Sequence, residues 1–528
     1  MGIGGWQRSD AVYTAAMRPY VVIIAGGILI ALLYLPAVNR VFVADQILYM
    51  AETSRMESFE EKLSLLDFEL SRKYWRGEEK LFRPLTFLAL AVERHFMEGD
   101  HRAWNIANLL FHLVTTLLLY RLLLGIDAKG FAGPLALLFG VMRSNAELVT
   151  WNHLGGYVLG FACLLASWRL LLDACHERTG RAWAIKYLLG MTAAAFFYEP
   201  NAVFCFILGI SACWVMGASA AEGSSPRPAI LRISGNKGYT FLLFLPVAFF
   251  TIAYGNHAMK AERFFGGAAA ARPDAVTLAG LPKAIGVMAS SFLVEGVLPS
   301  AVRIRVEAFQ RFEIAFPGAD RSPEFILNST ILLFLLVALA PALGRGISRA
   351  RLLTAASAVS MILAFLAIIT LGRTVDNARE NTYYAYLFNL LSVIGVCALI
   401  NPEKLSARRG KFVVAGILLF ALVQTGQLLD VTGRIRAANV DADRYYSSLN
   451  AFVNEHRSER GFTFRLEGEP PARLDPAFKL TIGYFDDPSA EVEEKRLSRI
   501  IHETWWRDDA ARYSLQWRGN QWDVSARE

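Results

Sequence analysis

The sequence predicts an all-α polytopic membrane protein with a small α+β domain at its C-terminal end. Three observations predict it. Of 528 residues, 54% are hydrophobic and only 19% are charged, with mean hydropathy +0.34; a soluble chain carries about 25% charged residues. The apolar residues gather in runs of roughly 15 to 20, the length that takes a helix across ~30 Å of hydrocarbon. Every second segment between the runs is basic, as membrane orientation requires of the cytoplasmic side.

The first run, Val21–Pro36, has no small-x-small cleavage site behind it, and more runs follow, so it reads as a span and not as a signal peptide. About ten further spans are expected: Asn105–Leu124, Phe131–Met142, His153–Leu172, Trp183–Phe197, Pro200–Met216, Tyr239–Tyr254, Phe325–Leu343, Leu352–Leu371, Tyr384–Ile400 and Phe412–Leu429. Phe131–Met142 is short for a full crossing. Charge tests the parity. With a cytoplasmic N-terminus, the cytoplasmic segments carry Arg8 and Arg18; Arg121 and Lys129; Arg178, Arg181 and Lys186; Arg227, Arg232 and Lys237; Arg345, Arg349 and Arg351; and Lys404, Arg408, Arg409 and Lys411. The short connection Tyr198–Glu199 on the other side has no basic residue. Every cytoplasmic segment is therefore basic, which supports the parity.

The expected division is a transmembrane module, 1–429, followed by a non-cytoplasmic domain, 430–528. The expected location is a bacterial inner membrane, with the site and the tail facing the periplasm.

Two long outer loops interrupt the module, 38–102 and 255–324. In the first, Ser58–Trp75 repeats Phe59, Leu63, Leu66, Phe68 and Leu70 at helical spacing, which predicts a helix lying in the interface. Arg83–Met97 predicts a second, because Glu93, Arg94 and His95 make a crossing expensive. The second loop has a Gly/Ala stretch (266–271), an apolar run (Ile285–Leu298) that could re-enter the membrane, and the basic residues Lys260, Arg263, Arg272, Lys283, Arg303, Arg305 and Arg311. Those could attract phosphates or lipid headgroups, or be ordinary solvated charge. The tail predicts an amphipathic helix with Tyr445 and Tyr446, then strands at Phe462–Leu466 and Phe478–Phe485. A helix near Leu497–Trp506 and a hairpin, Tyr513–Trp517 with Trp522–Val524, complete it.

Composition also excludes. The five cysteines lie in or beside apolar runs, without disulfide or metal-ligand spacing. No basic stripe with interleaved aromatics points to nucleic acid, and none is expected as a partner.

A charge at a membrane boundary needs a reason, because burying it unpaired is costly. Asp45 sits in Val41-Phe42-Val43-Ala44-Asp45-Gln46-Ile47-Leu48-Tyr49. A carboxylate there could take the proton of an acceptor hydroxyl; the alternative is a helix cap or a solvated acid. Glu147, in Arg143-Ser144-Asn145-Ala146-Glu147, could orient an acceptor or share a divalent ion with Asp45; the alternative is a pair with Arg143. Glu199, between Tyr198 and Pro200, is a third acid on the same side, or a turn residue satisfied by water. Arg83 and Arg379 offer forks that suit phosphate; for Arg379 the alternative is a headgroup anchor. Trp151, His153 and Tyr384 are candidates for substrate contact, whereas His112 reads as a hydrogen-bonded interior histidine.

The order of these features resembles the GT-C superfamily of membrane glycosyltransferases, which use polyprenyl- or dolichyl-phosphate sugars. The nearest branch is the protein O-mannosyltransferase-like one. Asp45-Gln46 stands where that branch has two acids. Phe82-Arg83-Pro84-Leu85-Thr86 resembles its aromatic-Arg-Pro-Leu-Thr, and Trp104-Asn105-Ile106-Ala107-Asn108-Leu109-Leu110-Phe111-His112 its aromatic-His-x-x-Asn-Leu-Leu-x-His. Glu147 and Trp151 keep the spacing of its His-Pro-x-His-x-Glu-x-x-x-Trp, with Met142, Arg143 and Asn145 replacing His, Pro and His. Glu199-Pro200 stands at its Ser-Lys-Glu element, and Arg379 to Tyr384 loosely matches Glu-Arg-Tyr-x-Tyr. The likeness covers about Val21–Pro200 well, weakens to Leu429 and is absent from the tail.

It implies a polyprenyl-phosphate sugar donor, a protein, glycan or glycolipid acceptor, and membrane lipids as surroundings. Asp45 would be the base, Arg83 and Arg379 would take up phosphate charge, and Glu147 and Glu199 would position the acceptor or a divalent ion. The rivals are a flippase or transporter, which would want charge near the bilayer midplane and internal repeats, and a scaffold of the same fold that has lost activity.

Overall fold

The computed structural model describes residues 23–40, 58–66, 82–97, 100–126, 130–175, 182–221, 237–265, 285–286, 288–289, 292, 349–372, 383–399, 407–456, 464–467, 513–518 and 522–526. The apolar runs form helices. In chain order these are α1 (Ile23–Ala37, its last turn tightened to 3-10), α2 (Phe59–Leu63), α3 (Pro84–Met97), α4 (His101–Gly125), α5 (Ala132–Val141), α6 (Ala146–Thr150), α7 (Gly155–Cys175), α8 (Trp183–Phe197), α9 (Pro200–Ala221), α10 (Lys237–Phe265), α11 (Arg349–Gly372), α12 (Tyr384–Leu399) and α13 (Ala407–His456). Four of them, α4, α7, α10 and α13, are long and apolar enough to cross a bilayer. Shorter apolar helices stand at α1, α5, α8, α9, α11 and α12. The chain is thus a polytopic, essentially all-helical membrane protein. Every expected span has its helix except Phe325–Leu343, which lies outside the described residues.

Local chemistry starts the helices. Ser58 and Glu61 form a reciprocal capping box ahead of α2: Glu61 N–H donates to Ser58 Oγ at 3.1 Å, and Ser58 N–H donates to Glu61 Oε2 at 3.0 Å. Pro84 opens α3 at the position where a missing N–H costs nothing. Asp100 caps α4, with Oδ1 accepting from Arg102 N–H at 2.9 Å.

Three expectations need new boundaries. The helix expected from Ser58 is a short α2 followed by a 3-10 turn at Ser64–Leu66, and the rest of that stretch lies outside the described residues. The loop expected from residue 255 begins later, because α10 continues to Phe265, carrying His257 on a buried face. The span expected at Phe412–Leu429 and the amphipathic helix expected to open the tail are one continuous helix. α13 runs unbroken for 50 residues, about 75 Å at 1.5 Å per residue, because no proline stops it. The stretch with Tyr445 and Tyr446 is its distal part.

The described residues divide into two compact units. The first holds Met1–Tyr34, Leu110–Leu148 and Tyr157–Asp430. There α11 packs on α12 and α9, and α10 packs on α8 and α9. The expected short third span is a ten-residue helix, α5, apolar all round and buried at Leu135, Leu138, Phe139 and Val141; about 15 Å long, it packs on α12.

The second unit holds Leu35–Leu109, Val149–Gly156 and Val431–Glu528. In it α3 packs on α2 and the 3-10 turn. Its sheet has β1 (Phe464–Glu467) parallel to β2 (Tyr513–Trp517), and β2 antiparallel to β3 (Trp522–Ala526), with Leu515 opposite Val524. The expected hairpin is present; the expected strand Phe478–Phe485 and helix Leu497–Trp506 lie outside the described residues.

Close helix contacts depend on small residues, as in many membrane bundles. A Cβ on Gly160 of α7 would meet Phe197 Cβ at 2.9 Å and Asn201 Nδ2 at 3.0 Å, where Asn201 is already bonded to Ala194 O. Gly160→Leu is therefore expected to cost about 1–3 kcal/mol through overpacking, read as a lower thermal midpoint in detergent, while Gly27→Leu, with open space around it, leaves the midpoint near wild type.

Candidate active site

The second unit concentrates polar groups where chain segments leave the apolar helices. Asn105 and Asn108 share one face of α4, three residues apart. Asn105 Nδ2 donates to Val38 O and Arg40 O, both at 2.8 Å. Both partners only accept, so the amide orientation is fixed. Asn108 Nδ2 donates to Trp151 O at 3.2 Å. One helix face thereby pins the segment leading to Asp45 and the loop carrying Thr150 to His153.

Arg40 joins the two pinned segments: Nη1 donates to Thr150 Oγ1 at 2.6 Å. His153, only 8% exposed, sits in a 3-10 turn ahead of α7, edge-on to Trp151 with ring centroids 5.2 Å apart. Burial pushes the His153 imidazole down to about 3, and the nearby positive charges of Arg83 and Arg40 push the same way. The imidazole is therefore neutral at neutral pH, beside two guanidiniums that keep their charge. Arg83 precedes α3 and its carbonyl accepts from Phe87 N–H at 3.1 Å. Further along α3, Glu93 is 7% exposed, and its carboxyl oxygens have no hydrogen-bond partner among the described residues. Burial alone pushes its carboxyl up to about 8, so at neutral pH it is mostly protonated.

The first unit holds the turn that carries Glu147. A 3-10 turn, Arg143–Asn145, leads directly into α6. Ser144 and Asn145 are buried. Asn145 Nδ2 donates to Phe139 O at 2.6 Å; Asn389 Nδ2 of α12 donates to Ser144 Oγ at 2.7 Å and Asn145 Oδ1 at 3.1 Å. Arg143 N–H donates to Gln424 Oε1 of α13 at 3.1 Å. Glu147 itself is partly exposed.

Glu199 forms the tight turn between α8 and α9, its carbonyl accepting from Ala202 N–H at 3.0 Å, while Tyr198 stacks on Tyr157 at 4.5 Å. Tyr384 is buried against Phe365 and Tyr383, so its ring serves packing between α11 and α12. His112 is the interior histidine expected. Gly140 O can only accept, so Nε2 carries the proton (3.1 Å), and in the neutral ring Nδ1 accepts from the Tyr386 hydroxyl at 2.9 Å.

The structure thus gathers Arg83, Trp151 and His153 in the second unit, and sets Glu147, Glu199 and Tyr384 in the first. Asp45 and Arg379 lie outside the described residues. Among the described residues, no three His, Cys, Asp or Glu side chains come together as a metal site. Sequence reasoning missed Arg40, Thr150, Asn389 and Gln424, and it quoted Asn105 and Asn108 in a motif without giving them a role. A signal existed for the amides: each stands in an apolar helix, where an unsatisfied amide is costly.

No family model matches the chain, and no curated protein matches it. Among solved structures it is similar to ArnT from Cupriavidus metallidurans, crystallised bound to undecaprenyl phosphate. The TM-score is 0.46 at 11% identity, covering 90% of this chain and 89% of that one. A likeness that loose transfers neither residue roles nor substrate.

The buried acid and imidazole give stability opposite pH slopes. The Glu93 carboxyl rises from 4.5 unfolded to about 8 folded, so the stability tied to its neutral form is full below the lower value and is lost as pH rises through the upper one. His153 falls from 6.5 to about 3, so its contribution is full above the higher value and is lost as pH falls toward the lower one. Glu93→Gln is expected to remove the alkaline loss alone, and thermal midpoints measured at pH 5 and pH 8.5 check it.

Proposed function

We propose that the chain is a GT-C type glycosyltransferase that moves a sugar from a polyprenyl-phosphate donor to a hydroxyl acceptor at the non-cytoplasmic face. The observation that carries this reading is the basic cluster. Two guanidiniums flank a neutral imidazole and an indole, on segments pinned by Asn105 and Asn108 next to the start of a membrane-crossing helix. Such a cluster suits a phosphate held at the membrane edge, with an aromatic surface for a sugar beside it. Arg83 lies in the Phe82–Thr86 stretch that also carries the family resemblance.

In this reading Asp45 accepts the proton as the acceptor oxygen attacks the anomeric carbon. The bond from that carbon to the phosphate oxygen breaks, and the lipid phosphate leaves with the electron pair. In-line displacement inverts the anomeric centre. Arg83 and Arg379 balance the charge that develops on the leaving phosphate. Glu147 orients the acceptor, alone or through a divalent ion, and Glu199 assists from its turn. Protein, glycan and glycolipid acceptors all offer the hydroxyl required. Among the described residues, the Asp, Glu, Lys and Arg of the crossing helices flank the apolar stretches, as in α13, where none falls between Lys411 and Asp430. A transporter would want them near the midplane.

The test is release of polyprenyl phosphate from radiolabelled polyprenyl-phosphate hexoses by the purified chain. Asp45→Asn keeps shape without basicity and is expected to lower turnover about 10²–10⁴-fold, with donor binding near normal. Arg83→Ala should weaken donor use by about 1.5–3 kcal/mol, and more than Arg83→Lys does. Wild-type turnover in purified Asp45→Asn would sink the mechanism. For orientation, protease added outside spheroplasts is expected to release the tail beyond residue 430; a tail protected until the membrane is broken would reverse the topology.

A further inference from the structure

The turn before Glu147 is held from three sides by buried, directional hydrogen bonds. Met142 ends α5 in extended backbone, and its carbonyl accepts from Asn145 N–H at 3.0 Å. Phe139 O can only accept, so it fixes the Asn145 amide with Nδ2 toward α5. Asn145 Oδ1 must then face α12, and Asn389 must present its donor there. Its second hydrogen goes to Ser144 Oγ. On the other side, Arg143 N–H can only donate, so Gln424 presents Oε1. The orientation of each amide follows from a backbone group.

Both amides are almost fully buried, Asn389 at 2% exposure and Gln424 at 0%. Asn389 stands alone as a polar side chain between Leu387, Phe388, Leu390 and Leu391, all buried. Gln424 lies on the narrow buried stripe of α13 with Ala421 and Leu428. The turn they hold passes into α6 with no linker, and Glu147 is the second residue of α6. A shift at Ser144 or Asn145 therefore moves Glu147.

We infer that Asn389 and Gln424 are positioning residues for the Glu147 carboxylate. They do not touch substrate; they fix where the carboxylate meets the acceptor. The inference rests on the transferase reading above. Misplacing a reacting partner by about 1 Å can cost on the order of 100-fold in rate, so removing one of these bonds is expected to act mainly on kcat.

The experiment uses the full chain in lipid nanodiscs, following the radiolabelled polyprenyl-phosphate hexose (mannose, glucose or galactose) that the wild type turns over. Gln424→Leu and Asn389→Leu are expected to lower kcat roughly 10- to 100-fold, with donor KM close to wild type. Gln424→Glu keeps an acceptor oxygen for Arg143 N–H and should restore most of the rate. Added to Glu147→Gln, either leucine change should cost little more, because the group being positioned is already disabled. Multiplicative losses in the double variants would overturn the inference, as would wild-type kcat in the two leucine variants. Wild-type rate in Glu147→Gln would also overturn it while leaving Asp45 as base. Loss of folded protein in both leucine variants, judged by monodispersity, would assign the bonds to the fold and sink the inference. A wild-type chain that turns over none of the donors would remove the transferase reading itself.

Discussion

A polar atom inside hydrocarbon has no water to turn to, so it must find its partner within the protein. That constraint organises this chain. His112 satisfies both ring nitrogens between α5 and α12, one through Gly140 O and the other through the Tyr386 hydroxyl. Arg351, 5% exposed at the start of α11, donates Nε to Ile126 O at 3.0 Å beyond the end of α4. Leu and Phe packing could slide by a turn at small cost. These bonds cannot, because each joins one named donor to one named acceptor, and so they set the register of the helices around the aromatic core of Phe139, Phe161 and Tyr386.

The same constraint explains why the polar residues of α4 divide as they do. Asn105 and Asn108 spend their hydrogens on backbone carbonyls of the second unit, holding two chain segments that would otherwise wander. Thr115 and Thr116 turn back onto their own helix, donating to Phe111 O and His112 O at 2.9 Å each, and Thr115 Oγ1 also lies 3.4 Å from Val158 O of α7. The first pair positions Arg40 and His153; the second pair satisfies its hydroxyls inside the apolar helices. Spacing alone does not separate the two uses, but the partner atoms do.

Much of the fold was legible because hydropathy has a length scale. A run of apolar residues long enough to cross has few other fates, and α4, α7 and α8 stand close to where hydropathy puts them. A separate helix at α3 was legible from the charges Glu93, Arg94 and His95 near its end. Boundaries without a stop signal were not. α10 and α13 run on past the apolar edge because polarity alone ends no helix: Lys, Arg, Glu and Gln are good helix formers. In the site, Arg83, Trp151 and His153 were found by boundary charge and spacing. Arg40 was missed because a lone arginine after a span looks like topology, and only its bond to Thr150, 110 positions later in the chain, shows otherwise.

The tight turn at Tyr198–Glu199 also bears on how the chain is made. Pro200 begins α9 as soon as α8 has ended, and Asn201 reaches back to Ala194 O across the turn. Two apolar segments joined so closely can leave the ribosome and enter the bilayer as one hairpin, already satisfying each other at the tip. Neither then needs its own orientation signal, and the absence of any basic residue in the connection costs the pair nothing during insertion. The nearest basic residue, Lys186, stands instead at the far end, in the first turn of α8, and the tip carries one charge, the Glu199 carboxylate.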